Sequence, residues 1–354
     1  MMKAAVLAAP GNFAVQTIEK PTCPEEGILL RVAYCGSCGS DLRTLFSGHK
    51  NVPLPAVIGH EVAGAVVETG KGYRGEYKAG DMLAVAPNVY CGKCGFCRMG
   101  RYEFCESIRE LAQQWPGGFA EYMAIPAEAL ALGTIQRIPE GLPPEYACVA
   151  EPPSSCINAQ EKLGVGLGDT VLIIGSGPIG SIHICVAKAR GAKRVFVADV
   201  NQSRLDMVKV FGPDAAINAA EVDLVAEVKR LTGGAGTDVV ITANPVADTQ
   251  VQALSAARKG GRIAFFGGLP HDRSVVPLDT NLIHYKGLTV IGTTGFAPRH
   301  HIQSLDLMQA GRIPGEKLVT HILPLDSFAE GVQLAREGKA MKVVFEIQPT
   351  KSSV

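Results

Sequence analysis

No stretch of this sequence reaches the roughly 18 consecutive apolar residues that a membrane-spanning helix needs. The opening MMKAAVLAAPG has one lysine and a short apolar run, but neither the full apolar core nor the cleavage site of a secretory signal. An excess of charge is missing too: 34 Lys and Arg balance 34 Asp and Glu, so nothing favours nucleic acid or an acidic membrane surface as partner. There is a single tryptophan, Trp115, and there is no internal repeat and no low-complexity linker. A cytoplasmic protein acting on a small molecule is expected. In that compartment thiols stay reduced, which makes disulfides the weaker reading of the ten cysteines.

What is present begins with length. A chain of 354 residues is too long for one ordinary core and suggests about two domains. Up to about residue 150, short β-rich runs such as GILLRVAYCG, AVIGHEVAGAVVETG and GDMLAVAP are broken by Gly and Pro, predicting a small, largely antiparallel β domain. From about Glu161 apolar runs alternate with helical patterns: TVLIIG then PIGSIHICVAKARG, RVFVAD then SRLDMVKVFG, DVVITA then VQALSAARKG. That alternation predicts a parallel sheet with helices on both faces. The last strand, KVVFEIQ, is expected to return to the first domain.

Four cysteines, Cys91, Cys94, Cys97 and Cys105, follow the spacing C-x2-C-x2-C-x7-C. Four thiolates closing around one Zn²⁺ suit this spacing, and a site with no open position is structural. The run lacks the C-x3-C-P ending of a bacterial iron–sulfur motif. Catalysis therefore belongs elsewhere.

Gly175-x-Gly177-x-x-Gly180 directly follows a strand and opens a helix, the context a dinucleotide-binding turn requires. Gly175 makes the turn, Gly177 admits the pyrophosphate, and Gly180 lets helix and strand pack closely. Pro178 and Ile179 complete the phosphate-facing turn at a helix N-terminus. Nineteen residues after Gly180, Asp199 ends the strand RVFVAD. A carboxylate there accepts the adenosine ribose hydroxyls and repels a 2′-phosphate, which points to NAD. A plain cap for the next helix is the alternative for Asp199. Arg204 is a further candidate cofactor contact, its plainer reading being a solvated helix residue. LTGGAGTD precedes a strand and reads as a turn.

YCGSCGSD and GHE place Cys38 and His60 22 residues apart. With a carboxylate they would make an open zinc site, three protein ligands with room for a substrate oxygen. Alone, Cys38 reads as a small buried residue and His60 as a core histidine. Together, beside the closed cluster and the dinucleotide turn, they read as a catalytic centre.

In this order, CGSCGSD, GHE, the four-cysteine lobe, GGFAEY, EPPSS and GSGPIG closely resemble the zinc-dependent medium-chain dehydrogenase/reductase superfamily. The resemblance implies an α/β fold: a GroES-like, mostly β catalytic domain over residues 1–153 and 295–354, and a doubly wound Rossmann NAD-binding domain over 154–294, with the active site in the cleft between them. It implies two Zn²⁺ per chain, with Cys38 and His60 rather than Cys35 as ligands of the catalytic one. Glu61 and Glu151 are both candidates for the third ligand, and EPPSS looks like the sorbitol (polyol) dehydrogenase branch. Ser40 would bond the alcohol oxygen. Many members carry a histidine three residues after that hydroxyl, where this chain has Arg43, whose guanidinium keeps its proton. The expected proton route therefore runs through water at the metal to Glu151.

The expected reaction is hydride transfer from a secondary alcohol of a polyol to NAD. Thr44, Gly295 and Phe296 depart from the sorbitol enzymes where substrate is read, and Gln113, Gln114 and Trp115 are candidates for lining the cleft. Arg43 raises a polyol phosphate as an alternative. Arg299, His300 and His301 are read as a surface helix start. Threonine dehydrogenase shares the Cys-His-Glu set and stands as a second alternative. A zinc-finger-like binding module lacks the basic face it would need, and zinc-free quinone reductases lack both zinc motifs. A homo-oligomer, dimer or tetramer, follows from the resemblance.

Overall fold

The computed structural model describes residues 1–132 and 134–348. The chain divides into two compact units, one formed by Met1–Ser154 with the segment from Phe296 onward, the other by Ser155–Gly295. Among the described residues no helix is long and apolar enough to cross a membrane.

The first unit is built on the strand Ile28–Gly36, whose run ILLRVAYCG is buried almost throughout. Such a two-sided apolar strand belongs at the centre of a sheet. It pairs antiparallel with Glu61–Thr69 along its length, and with Tyr122–Ile125 and Val343–Glu346 along its other edge. Met82–Val85 and Ile135–Arg137 extend the sheet beyond Glu61–Thr69, and His321–Pro324 extends it beyond Val343–Glu346. The final strand thus returns to the first unit, as KVVFEIQ suggested.

The register positions the chemistry. Gly36 faces Glu61 across the first ladder and Val344 across the other. The residues just beyond these strand ends, Cys38, His60 and Lys342, therefore emerge at one edge of the sheet. Gly36 has to be glycine, because a Cβ there would lie 2.3 Å from Glu61 Oε2.

The second unit is a six-stranded parallel sheet in the order Ala215–Asn218, Arg194–Asp199, Thr170–Ile174, Thr237–Thr242, Ala257–Phe265, Thr289–Gly292. Numbered along the chain this is 3-2-1-4-5-6, the doubly wound dinucleotide-binding order. TVLII is buried at every position, as a central parallel strand must be.

The surface reading of PRHHI is corrected by the structure. Arg299 is exposed, but His300 and His301 are 0% and 1% exposed. The helix Pro298–Gln309 buries His301 with Ser304, Leu305 and Met308, a stripe at helical spacing.

A third buried histidine sits in the nucleotide-type unit. His183, on the helix Pro178–Ala189, packs edge-on against Phe266, and its Nδ1 lies 3.1 Å from Gln160 Nε2. Burial pushes its pKa down to about 3. A neutral histidine in the fold and a protonated one in the unfolded chain place the loss of stability below about pH 6.5, at up to about 1.4 kcal/mol per pH unit. Between pH 6.5 and pH 5, wild type is expected to lose about 2 kcal/mol more than His183→Gln by urea unfolding. Equal losses would show that His183 does not carry the acid sensitivity.

Candidate active site

The helix Gly39–Ser47 starts immediately after Cys38. Asp41, in its first turn, uses both carboxylate oxygens: Oδ2 accepts the Cys38 N–H at 2.9 Å and Oδ1 lies 3.1 Å from His60 Nδ1. One side chain thus caps the helix and orients the histidine. With Nδ1–H donated to a carboxylate, Nε2 is the nitrogen left for a metal, which takes the place of its proton, the usual outer-shell arrangement. Burial works against charge on His60, but the Asp41 carboxylate and the Cys38 sulfur outweigh it and hold its pKa well above the ordinary histidine range.

Ligand atoms of Cys38, His60 and Glu61 all lie within 4.8 Å of one another. Glu61 is fully buried. Its Oε1 accepts from Lys342 Nζ at 2.5 Å, while Oε2 has no hydrogen-bond partner. A buried carboxylate oxygen left unpartnered beside a thiol and an imidazole is a place a cation satisfies. The donor set therefore fits zinc. Burial disfavours charge on Lys342, yet Glu61, Cys38 and Glu151 together raise its pKa above the usual lysine value.

Glu151 stands outside the set of atoms within 4.8 Å. It opens the helix Glu151–Lys162, just after a kink at Val149, and Pro152 and Pro153 fill first-turn positions whose N–H groups have no helical acceptor. Burial first, then Glu61 and Glu110, push its pKa up to about 7 against the lowering pull of His60 and Lys342. Ser40 is half-buried two residues after Cys38, and its carbonyl accepts from the Thr44 hydroxyl. Arg43 is exposed. Cys35 and Cys148 are buried, and burial raises both thiols well above the ordinary value. Gln113, Gln114 and Trp115 border a pocket whose lining includes none of Cys38, His60 or Glu61. Trp115 is half-buried under the Arg109 guanidinium, 4.6 Å from its ring. Phe296 is 1% exposed.

The four-cysteine lobe is preassembled. Cys91 Sγ and Cys97 Sγ are 3.9 Å apart, against an edge of about 3.8 Å for a tetrahedron with 2.3 Å zinc–sulfur bonds. Backbone N–H groups of Cys91, Cys94 and Cys97 point at the sulfurs of Cys105, Cys91 and Cys94. Backbone donors, that of Lys93 foremost, lower Cys91 to about 6, and those of Cys97 and Glu106 lower Cys94, whereas burial raises Cys97 to about 12.

In the second unit Gly175 adopts φ +115°, and a Cβ on Gly180 would lie 1.9 Å from the Gly175 carbonyl. A Cβ on Gly177 would meet nothing within 4 Å, which leaves the phosphate approach open at the N-terminus of the helix that begins with Pro178 and Ile179. Asp199 Oδ2 accepts both the N–H and the hydroxyl of Ser176 at 2.8 Å, and Oδ1 accepts the Asn201 N–H. The cap of the next helix is Asn201, whose side chain accepts the Arg204 N–H. Asp199 is instead tied to the glycine turn from the end of its strand.

Residues 24–136 match the alcohol dehydrogenase GroES-like domain family, and residues 178–310 match the zinc-binding dehydrogenase family. The chain is 34% identical to L-threonine 3-dehydrogenase of Pyrococcus horikoshii over 97% of its own length and 98% of that protein. It is 32% identical to sorbitol dehydrogenase of Halalkalibacterium halodurans over 94% of its length and 95% of the relative. Galactitol-1-phosphate dehydrogenase of Escherichia coli superposes with a TM-score of 0.88 at 26% identity, covering 98% of this chain and 100% of the other. The chain belongs to the zinc-type alcohol dehydrogenases of the medium-chain superfamily, NAD-dependent oxidoreductases with a GroES-like and a Rossmann-type domain.

Asp41 and Lys342 were not singled out from the sequence. Asp41 had a signal, as the last residue of CGSCGSD. Lys342 had none, lying 281 residues from its partner. Lys342→Met, which strands Glu61 as an unpaired buried charge, is expected to cost the metal-free chain about 3 kcal/mol. Zn²⁺ should restore more stability to this variant than to wild type, since the freed carboxylate has only the metal to pair with. Denaturant midpoints with chelator and with Zn²⁺ measure both effects, and equal zinc-induced gains would refute the coupling.

Proposed function

We propose that the chain oxidises a secondary alcohol of a polyol to the ketone, with NAD as hydride acceptor. The observation that carries this reading is the three-residue ligand set Cys38, His60 and Glu61, whose charges reach the buried Glu151. A zinc ion bound there supplies a Lewis acid that lowers the pKa of an alcohol hydroxyl. Cys38 and His60 hold the cation, Asp41 fixes the histidine tautomer, and Lys342 governs how far the Glu61 carboxylate is committed.

Oxidation of R₂CHOH by NAD⁺ yields R₂C=O, NADH and one proton, so the proton needs an acceptor. Arg43 cannot take it. Glu151, its pKa raised to about 7 by burial, is the acceptor we assign. Ser40 offers a hydroxyl beside Cys38 to orient the substrate oxygen. Asp199, Gly175, Gly177 and Gly180 hold the dinucleotide, with Pro178 and Ile179 in the turn. Asp199 supports NAD over NADP.

We read the site as suited to a neutral polyol rather than its phosphate ester: the carboxylates Glu61 and Glu110 act on Glu151 and offset the cations His60 and Lys342, which leaves no surplus positive charge for a phosphate. The same carboxylates suit an ammonium group, which supports an amino alcohol as the second reading, in keeping with the threonine dehydrogenases among the relatives.

Glu151→Gln should lower kcat/KM by about 10²-fold or more. Turnover of wild type should rise with pH as Glu151 loses its proton, with a midpoint that bound zinc draws below the metal-free value of about 7, and this limb should be missing from the variant. Sorbitol, sorbitol 6-phosphate and L-threonine with NAD rank the substrate classes. A highest kcat/KM for the phosphate ester overturns the polyol reading, and an unaltered pH profile in Glu151→Gln overturns the proton route.

A further inference from the structure

Tyr90 joins the four-cysteine lobe to the rest of the first unit. It immediately precedes Cys91, is 4% exposed, and clusters with Cys97, Cys105 and Tyr102, its ring centroid 5.3 Å from that of Tyr102. Its hydroxyl donates to the Phe296 carbonyl and accepts from Asn88 Nδ2. A phenol surrounded by apolar side chains needs such partners.

Phe296 is buried and leads directly into the helix Pro298–Gln309, whose entry is fixed by the Ala297 N–H donating to His300 Nδ1 at 2.9 Å. On the same helix, fully buried Ser304 donates its hydroxyl to the Ala150 carbonyl at 2.7 Å, and Ser154 donates to the same oxygen at 3.0 Å. Ala150 is the residue before Glu151. Two hydrogen bonds and one rigid helix thus connect the lobe to the backbone that carries the proposed proton acceptor.

We propose that Tyr90 is a positioning residue: its hydroxyl anchors the start of the helix Pro298–Gln309, and Ser304 on that helix sets the Ala150 carbonyl and with it the placement of Glu151 beside the metal ligands. The inference rests on the role assigned to Glu151 above. The lobe then shapes the active site as well as its own loop.

The test compares zinc-loaded wild type, Tyr90→Phe, Ser304→Ala and the double variant on the best NAD-linked alcohol of the screen, with Glu151→Gln as control. Tyr90→Phe keeps the ring and removes only the hydroxyl. Each single variant is expected to lower kcat about fivefold, the size of one net hydrogen bond, with KM changed less than about twofold. The double variant should fall no further, because both changes cut one line, whereas independent structural effects would multiply to about 25-fold. With Co²⁺ in the catalytic site and Zn²⁺ kept in the lobe, both single variants should shift the visible d–d bands in the absence of substrate. Wild-type kcat and bands in Tyr90→Phe, or a multiplied loss in the double variant, overturn the proposal. Should Tyr90→Phe not fold, Ser304→Ala decides: the fivefold loss with shifted bands supports the proposal, and wild-type values overturn it. Impairment in Glu151→Gln but not in Tyr90→Phe defeats only this proposal, whereas an unimpaired Glu151→Gln defeats the underlying role of Glu151.

Discussion

A carboxylate with no exposure to water must be paired, and the pairing of Glu61 organises this protein's active end. The Glu61 and Lys342 side chains are 0% and 5% exposed. Removing two charges from water costs several kcal/mol per ion, and their attraction repays that only with close geometry and further partners. Here the geometry comes from the sheet, where Gly36 faces Glu61 on one side and Val344 on the other. The pair leaves one carboxylate oxygen unsatisfied, in a side chain that is grouped with a thiol and an imidazole. Such an arrangement is incomplete as a protein core and complete as three sides of a metal site.

Legibility followed the range of the interactions. The four cysteines could be read because a closed zinc site leaves a short-range spacing signature, and the glycine turn because strand, turn and helix are contiguous. Cys38, His60 and Glu61 were visible as residue types, and the register of two antiparallel strands explains why they meet. Asp41 lay within a quoted motif, but its double role depends on helix capping geometry that residue identity alone does not display. Lys342 was illegible because only the folded sheet brings it to Glu61. His300 and His301 looked like surface residues since histidine and arginine at a helix start usually are, and the buried stripe through Ser304 and Met308 decided otherwise.

The nucleotide-type unit shows the same logic at shorter range. Asp199 reaches back to the Ser176 N–H and hydroxyl, so the strand end and the glycine turn are locked to each other. The side-chain cap of the following helix comes from Asn201 instead, so the Asp199 side chain is committed to the glycine turn. The glycines are individually demanded: a Cβ on Gly180 would overlap backbone, whereas one on Gly177 would only fill open space that the phosphates need.

The account stands on a catalytic zinc held by Cys38, His60 and a glutamate, separate from the zinc of the lobe. Metal analysis of the purified chain tests this most directly, with Cys38→Ser and Cys94→Ser each removing one of the two ligand groups. Wild type should carry two zinc ions per chain and each variant one, with Cys38→Ser inactive despite its intact lobe. A Cys38→Ser protein that keeps both ions and its turnover would contradict the account.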